Sequence, residues 1–262
     1  MKRSMFLGTL AASTVLAGAA FGGTLDDVKA RGELLCGANS GLTGFAAPDA
    51  NGEYQGFDAS LCKAIAAAVL GDASKVKFVP LSSEVRFTAL ASGEVDVLIR
   101  NSTFTFSRDS DLKLDFPVIN YYDGQGFMVK KDLGVSSAKE LDGATVCIQT
   151  GTTTELNLAD FFKANNITYT PVTVQDDSEA QRNYLAGSCD AFTTDASGLA
   201  AVRSAFPDPE NHIILPEIIS KEPLGPVVRQ GDDAWFNVVK WVYFALVNAE
   251  ELGISSQNVE DL

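Results

Sequence analysis

From Arg31 onward, short apolar runs alternate with longer stretches whose apolar positions recur every three to four residues. "ELLCGAN" predicts a strand, "DASLCKAIAAAVLG" a helix closed by Gly71, "KVKFVPL" a strand, "SSEVRFTALASGE" a serine-capped helix, and "VDVLIRN" a further strand. Two strand-helix units and a third strand call for crossover connections, hence a parallel sheet. The rhythm breaks at "YYDGQGFMVKK", an extended stretch that predicts a crossover out of this first set. It resumes with strand "ATVCIQT", helix "TTELNLADFFKANN", strand "ITYTPVTV", helix "DSEAQRNYLAGS", strand "CDAFTTD", helix "SGLAAVRSAF" and strand "HIILPEI". A second extended stretch, "KEPLGPVVRQ", leads to the helix "DAWFNVVKWVYFALVNAEELG". Two similar α/β sets joined by two extended segments predict two lobes with a ligand cleft between them. The expected division is 23–123 with 224–262 in the first lobe and 124–223 in the second.

Both ends stand outside this rhythm. Lys2 and Arg3 precede the apolar run "MFLGTLAASTVLAGAAF", and the small residues of "AFGG" follow it, which is the layout of a secretory signal cleaved near Gly22. The run is short for a bilayer span and rich in Ala, Gly, Ser and Thr, so residues 1–22 are read as a removed signal rather than an anchor. In "LAGA", Ala19 stands where a lipoprotein would carry its cysteine, so a freely soluble exported protein is expected. At the other end Gly253 closes the last helix, "SSQN" starts another, and the sequence stops at Leu262, the pattern of a fragment.

Composition narrows the function. A hydrophobic content of 46% in 262 residues supports a core. The formal net charge of -14, made more negative by loss of Lys2 and Arg3, repels a phosphate backbone, so nucleic acid is not an expected partner. Cys36, Cys62, Cys147 and Cys189 lack CxxC spacing, and His212 is the single histidine, which argues against zinc. In an exported chain two disulfides are expected, in any of three connectivities.

Three stretches carry candidate chemistry. In "LIRNSTFTFSRDSD" a strand ends in Arg100 and Asn101, and Thr103, Thr105, Ser107 and Arg108 follow, setting donors at the carboxyl edge of a parallel sheet. Arg108 can clamp a carboxylate through two parallel N–H bonds, although beside Asp109 and Asp111 it also has the setting of a surface ion pair. In "QTGTTTELN", Thr152 and Glu155 have capping-box spacing, and Gly151 lets backbone approach an anion at the helix start. A capped helix without a ligand has the same signature, and the GxxxxGK[ST] nucleotide loop is missing. In "CDAFTTDAS", Asp195 follows a strand and is placed either to receive an ammonium group or to cap the next helix. Trp235, Phe236, Trp241 and Phe244 are expected in the core, Phe104 and Phe106 either wall a pocket or pack, and His212 is expected to be structural. One histidine, no GxSxG elbow and no HExxH leave few ways to assemble a catalytic base with a nucleophile or metal.

Taken together, "GFDASLCKAIAAAVLGDASKVKFVPL", "RFTALASGEVDVL", "NYYDGQGFMV", "CIQTGTTTELNLADFF", "TTDASGL" and "LPEIISKEPLGPVVRQGDDAWFNVVKW" closely resemble the general L-amino-acid-binding proteins of ABC transporters, within the family-3 periplasmic solute-binding proteins. The resemblance covers nearly the whole mature chain. It implies an α/β, two-lobed type II periplasmic-binding-protein fold, each lobe a mainly parallel sheet with flanking helices, joined by two crossover segments. It further implies a monomer in the periplasm that closes on a free L-amino acid and delivers it to an inner-membrane ABC permease, with no cofactor and no metal. Arg108 matches the arginine for the ligand α-carboxylate, and Asp195 the aspartate for its α-ammonium. Asn101 and Thr103 match positions contacting the ligand by backbone or hydroxyl, and Gly151, Thr152 and Thr153 the helix-start turn that completes the carboxylate site. Ser83 and Arg86 match side-chain contacts of relatives preferring acidic amino acids. Asn39 stands where those relatives carry another arginine, which implies room for glutamine and asparagine beside glutamate and aspartate. The resemblance also implies Cys36–Cys62 and Cys147–Cys189 pairing, each within one lobe, and further helices beyond Leu262. Some dehydratases and peptidoglycan lyases share this architecture, as do receptor sensor domains. A lyase needs an added catalytic domain and a sensor a following membrane span, and neither is present in these residues.

Overall fold

The computed structural model describes residues 22–259. The predicted signal segment therefore lies outside the described residues except for Gly22. The first set of elements is α1 (Thr24–Arg31), β1 (Leu34–Ala38), the short hairpin β2 (Ala47–Pro48) and β3 (Tyr54–Gln55), α2 (Phe57–Leu70), β4 (Val76–Pro80), α3 (Arg86–Ser92), β5 (Val97–Thr103), α4 (Phe106–Ser110) and β6 (Leu114–Asp115). The extended stretch becomes β7 (Tyr121–Asp123) and β8 (Gln125–Lys130). The second set is β9 (Ala144–Gln149), α5 (Thr153–Ala164), β10 (Tyr169–Val174), α6 (Asp177–Leu185), β11 (Ala191–Asp195), α7 (Ala196–Ala205) and β12 (His212–Ile214). The chain returns through β13 (Glu222–Arg229) and ends in α8 (Asp233–Glu251).

Two sheets form the two lobes. The first runs β4-β1-β5-β13-β6, with β7 also paired to β13, and the second runs β10-β9-β11-β8-β12. The strand-helix units give the parallel pairs, β1 with β4 and β5, and β9 with β10 and β11. The two extended segments supply the antiparallel strands. β13 runs against β5, β6 and β7, and β8 runs against β11 and β12. Their crossing is local: Leu224 pairs with Tyr121 and with Thr103, while β8 starts only two residues after β7 ends, in the other sheet. Gly225 is required there, because a Cβ would collide with the carbonyl of Val118.

Each sheet is covered on both faces, as parallel strands need. In β5 the period of two sends Val97 and Ile99 toward Val28, Leu61, Ile65 and Trp235 of α1, α2 and α8. Leu98 points the other way, to Leu81, Leu90 and Val227. In β8, Phe127 and Val129 pack with Leu158 and Phe162 of α5, and Met128 packs with the Tyr184, Leu199 and Phe206 side. Trp235 is fully buried and its Nε1 donates to Asp96 O at 2.9 Å. Trp241 and Phe244 depart from the core expectation: they are exposed on the outer face of α8, because the face turned to the core is that of buried Trp235 and Val239, with Phe236, Val238, Val242 and Tyr243 partly buried beside them. His212 is buried against Tyr184, whose hydroxyl lies 2.9 Å from Nδ1.

The expected serine cap of α3 is absent. Val85 occupies the N-cap position and no side chain caps the helix, because Ser83 Oγ turns to Gln175 O across the lobes at 3.5 Å. The hairpin β2–β3 and helices α1 and α4 were not anticipated by the apolar period, since each is too short or too polar to show one. Beyond α8, Val259 N–H donates to Ser255 O at 3.0 Å, closing one turn over "SSQN".

The disulfides are Cys36–Cys62, joining β1 to α2 with Cα atoms 6.2 Å apart, and Cys147–Cys189, joining β9 to the approach of β11 at 5.6 Å. Each staples a helix or loop to its own sheet, so neither crosses the cleft. Replacing Cys147 and Cys189 together by Ala is expected to lower the unfolding free energy in urea titrations by about 2–4 kcal/mol. An unchanged midpoint would show that this bridge adds nothing to stability.

Candidate functional site

The cleft is built from the carboxyl ends of the parallel strands, where the loops into the following helices converge. The first lobe sends Asn39 from the end of β1, Ser83 and Arg86 from the β4–α3 connection, Arg100 to Thr103 from β5, and Arg108 from α4. The second lobe answers with Gln149 to Thr154 at the β9–α5 junction, Asp177 at the start of α6, and Thr194 and Asp195 at the end of β11.

Asn101 is the meeting point. Its φ of 30° is a left-handed value, which asparagine tolerates better than most residues. Its N–H donates to Asp58 Oδ2 at 3.1 Å, which fixes that conformation, and its Nδ2 donates to Asp195 Oδ2 at 3.2 Å across the lobes. Asn39 Nδ2 reaches Asn101 Oδ1 at 3.3 Å and Asp177 Oδ2 at 2.7 Å.

Three buried arginines surround this network. Arg100 Nε donates to Leu81 O at 2.7 Å, and its Nη2 lies 4.0 Å from Asp177 Oδ2. Arg86 Nη1 is 3.4 Å from Arg100 O. Arg86 Nε and Arg100 Nη2 are buried with no hydrogen-bond partner. Burial first, then repulsion from Arg100 and Arg108, pulls the Arg86 pKa well down, and burial also lowers that of Arg100. Arg108 is no surface ion pair: it is 6% exposed, donates from Nη1 to Thr103 O at 2.7 Å, and rests on the Phe87 ring at 4.8 Å. The short helix α4 sets it there, with Thr105 Oγ1 accepting the Arg108 N–H at 3.3 Å. Burial holds its pKa at about 10, against the opposing pull of Glu222 and Asp195.

Asp195 sits at the N-cap position of α7 but makes no cap bond with its side chain, having turned toward Asn101. Burial, then the charges of Asp123 and Glu222, raise its pKa to about 7. Burial also raises Asp58 to about 6, against the Asn101 N–H bond. At the start of α5, Thr152 Oγ1 accepts the Glu155 N–H at 3.2 Å, and Glu155 Oε2 accepts from Gly151 N–H at 3.3 Å. Gly151 has φ 72°, and a Cβ would lie 3.1 Å from Glu84 Cα, so glycine lets this turn close onto the other lobe.

The cavity left between these groups is about 20 Å³, room for about one water, so the lobes must part to admit anything larger. Of the residues expected from the sequence, Arg86, Asn101, Thr103, Thr152, Thr153 and Asp195 line it. Arg108 backs it through Thr103, while Asn39, Ser83 and Gly151 stand around it at the contact between lobes. The sequence did not single out Asp177, Glu222, Asp58 or Gln149, and left Arg100 without a role. The Asp177 signal in "QDDSEA" was an acid in a first helical turn, common at any helix start.

A sequence model of bacterial extracellular solute-binding proteins, family 3, matches residues 34–256. The chain is 68% identical to the glutamate/glutamine/aspartate/asparagine-binding protein BztA of Rhodobacter capsulatus over 262 residues, covering 100% of this chain and 78% of that protein. It is 56% identical to the general L-amino acid-binding periplasmic protein AapJ of Rhizobium johnstonii, covering 100% and 77%. Among solved structures, a periplasmic binding protein from Brucella ovis with glutathione bound superposes with a TM-score of 0.88 at 57% identity, over 92% of this chain and 75% of that one.

The raised pKa values of Asp195 and Asp58 set a pH dependence. Between the ordinary value of 3.8 and about 6 to 7 the folded protein holds protons that the unfolded chain has released, so these groups make stability fall as pH rises through that window. Asp195→Asn is expected to flatten the decline in the thermal midpoint of the ligand-free protein between pH 5 and 8. A profile parallel to the parent's would show that Asp195 is already ionised throughout.

Proposed function

The chain belongs to family 3 of the bacterial extracellular solute-binding proteins, and from that premise we propose that it is the periplasmic receptor of an amino-acid ABC transporter, closing on a free L-amino acid. The observation that carries the reading is the convergence on one cavity of groups with opposite charge from opposite lobes. Arg108 and the Gly151–Thr153 turn grip the α-carboxylate, and Asp195 with Asn101 and Thr103 grips the α-ammonium. Because each grip is completed only when groups from both lobes meet, the ligand favours the closed state.

The side chain of the ligand faces Arg86, Ser83, Asn39 and Asp177. Arg86 Nε and Arg100 Nη2 are unused donors for a carboxylate or amide oxygen, and Asp177 is an acceptor for an amide nitrogen. That combination suits glutamate, glutamine, aspartate and asparagine, the four named for the Rhodobacter relative. Glutathione, bound in the Brucella structure, carries a free α-amino and α-carboxylate on its γ-glutamyl end and so offers the same backbone groups. The receptor acts as a monomer exported by residues 1–22, with lobes divided after 123 and after 223, and hands its ligand to an inner-membrane permease.

A thermal-shift panel of the twenty amino acids and glutathione tests the ligand class, with glutamate and glutamine both expected to raise the midpoint. Stabilisation by neither would overturn the reading. Arg108→Ala is expected to weaken glutamate binding by roughly tenfold to more than a hundredfold in calorimetry, since a hydrogen bond to a charged group contributes about 1.5–3 kcal/mol. Unchanged affinity would remove Arg108 from the carboxylate site.

A further inference from the structure

Glu222 is the first residue of β13, on the segment that crosses back to the first lobe, and is 2% exposed. Four donors converge on its carboxylate. Oε2 accepts from Thr103 Oγ1 at 2.6 Å and Thr153 Oγ1 at 3.0 Å, and Oε1 accepts from Asn157 Nδ2 at 2.8 Å and Ser220 Oγ at 2.5 Å. Thr103 belongs to β5 of one lobe, and Thr153 and Asn157 to α5 of the other, so one carboxylate ties together the two walls of the cavity.

A threonine hydroxyl has one proton to donate and lone pairs to accept with. The short bond to Glu222 uses the Thr103 proton, so the Thr103 oxygen can present only lone pairs to the cavity it lines. Thr153, 3.4 Å from Thr103 Oγ1 and 3.0 Å from Glu222, keeps its own proton within the same cluster. A ligand carboxylate gains no donor from the Thr103 hydroxyl, whereas a ligand ammonium gains an acceptor.

We infer that Glu222 is a positioning residue that fixes the hydrogen-bond polarity of the cleft, holding the Thr103 hydroxyl as an acceptor for the α-ammonium beside Asp195. The inference rests on the amino-acid reading of the cleft and deepens it. The carboxylate is left to Arg108 and the backbone N–H groups at the start of α5, and the ammonium is shared by Asp195 and Thr103. Glu222→Gln replaces one of the two acceptor oxygens by an N–H donor and removes the charge from the other, so the Thr103 hydroxyl loses its charged acceptor and, where the N–H faces it, its proton is freed to point at the ammonium.

The test is a double-mutant cycle of Glu222→Gln and Thr103→Val, read by calorimetry with L-glutamate and L-glutamine, with thermal midpoints recorded for every variant. Glu222→Gln alone is expected to weaken binding about tenfold, the loss of one hydrogen bond to a charged group. In the Thr103→Val background it should cost less than about twofold. Equal losses in both backgrounds, or no loss in the parent background, would overturn the inference and leave Glu222 as a structural tie. Glu222→Asp, which keeps the charge and withdraws the carboxylate, repeats the cycle if the glutamine variant does not fold, and the same coupling is expected. If the parent binds neither amino acid, the reading of the cleft fails first. If the parent binds and the cycle is additive, only the role of Glu222 fails.

Discussion

The cleft depends on burying ionisable groups of both signs in one place. Arg86, Arg100 and Arg108 are removed from water on one wall, and Asp177, Asp195 and Glu222 lie within reach on the other side or at the hinge. A lone buried charge is costly, and such costs fall only where opposite charges and hydrogen bonds surround it. The arrangement meets this condition unevenly. Glu222 has a donor for each of its lone-pair directions, and Asp58 takes the Asn101 N–H, yet two arginine N–H groups remain unpartnered. Unpaired donors in a buried cleft are a standing cost that an incoming oxygen atom relieves, and this supports the proposed preference for side chains ending in carboxylate or amide.

Strand polarity explains why these groups meet at all. Each βα unit delivers a short loop to the carboxyl edge of its sheet, and the two extended segments bring the edges face to face by pairing β7 with β13 at the hinge. Disulfides stay inside each lobe, so neither bridge restrains the crossing strands. The same placement puts Glu222 at the only point where a side chain on a crossing strand touches both walls of the cavity among the described residues.

The element order was legible because the apolar period changes sharply between runs such as "KVKFVPL" and "LCKAIAAAVL", and because glycines close the helices. Arg108 and Asp195 were legible as charged groups following strands, although each had an ordinary alternative that only burial and partners could remove. What remained hidden depends on contacts between distant parts of the chain. Ser83 reads as a cap but serves the contact between lobes, Asp177 reads as a first-turn acid, and Glu222 reads as one more charge in an extended stretch. Arg100, which lines the cavity from β5, gains its setting from Leu81 and Asp177, 19 and 77 positions away. Such pairings leave no local periodicity, so no window of sequence carries them.

The contacts between the lobes also bear on how strongly a solute can shift the equilibrium. Asn39, Asn101 and Thr103 join the lobes as neutral donors to the carboxyl groups of Asp177, Asp195 and Glu222, each contributing about 1.5–3 kcal/mol where the acceptor is charged, and Ser83 adds a longer neutral bond to Gln175 O. On the proposed reading an amino acid brings a positive and a negative end, and each of its bonds to Asp195 or Arg108 has charge on both partners, which the bonds between the lobes do not. Closure with ligand is therefore favoured over closure without it by the difference between these two sets of bonds, not by their sum. The acidic background of the chain does not oppose entry of glutamine or asparagine, whose zwitterions are neutral, whereas glutamate and aspartate carry an extra negative charge through the surface field and gain its compensation only from the arginines inside the cleft.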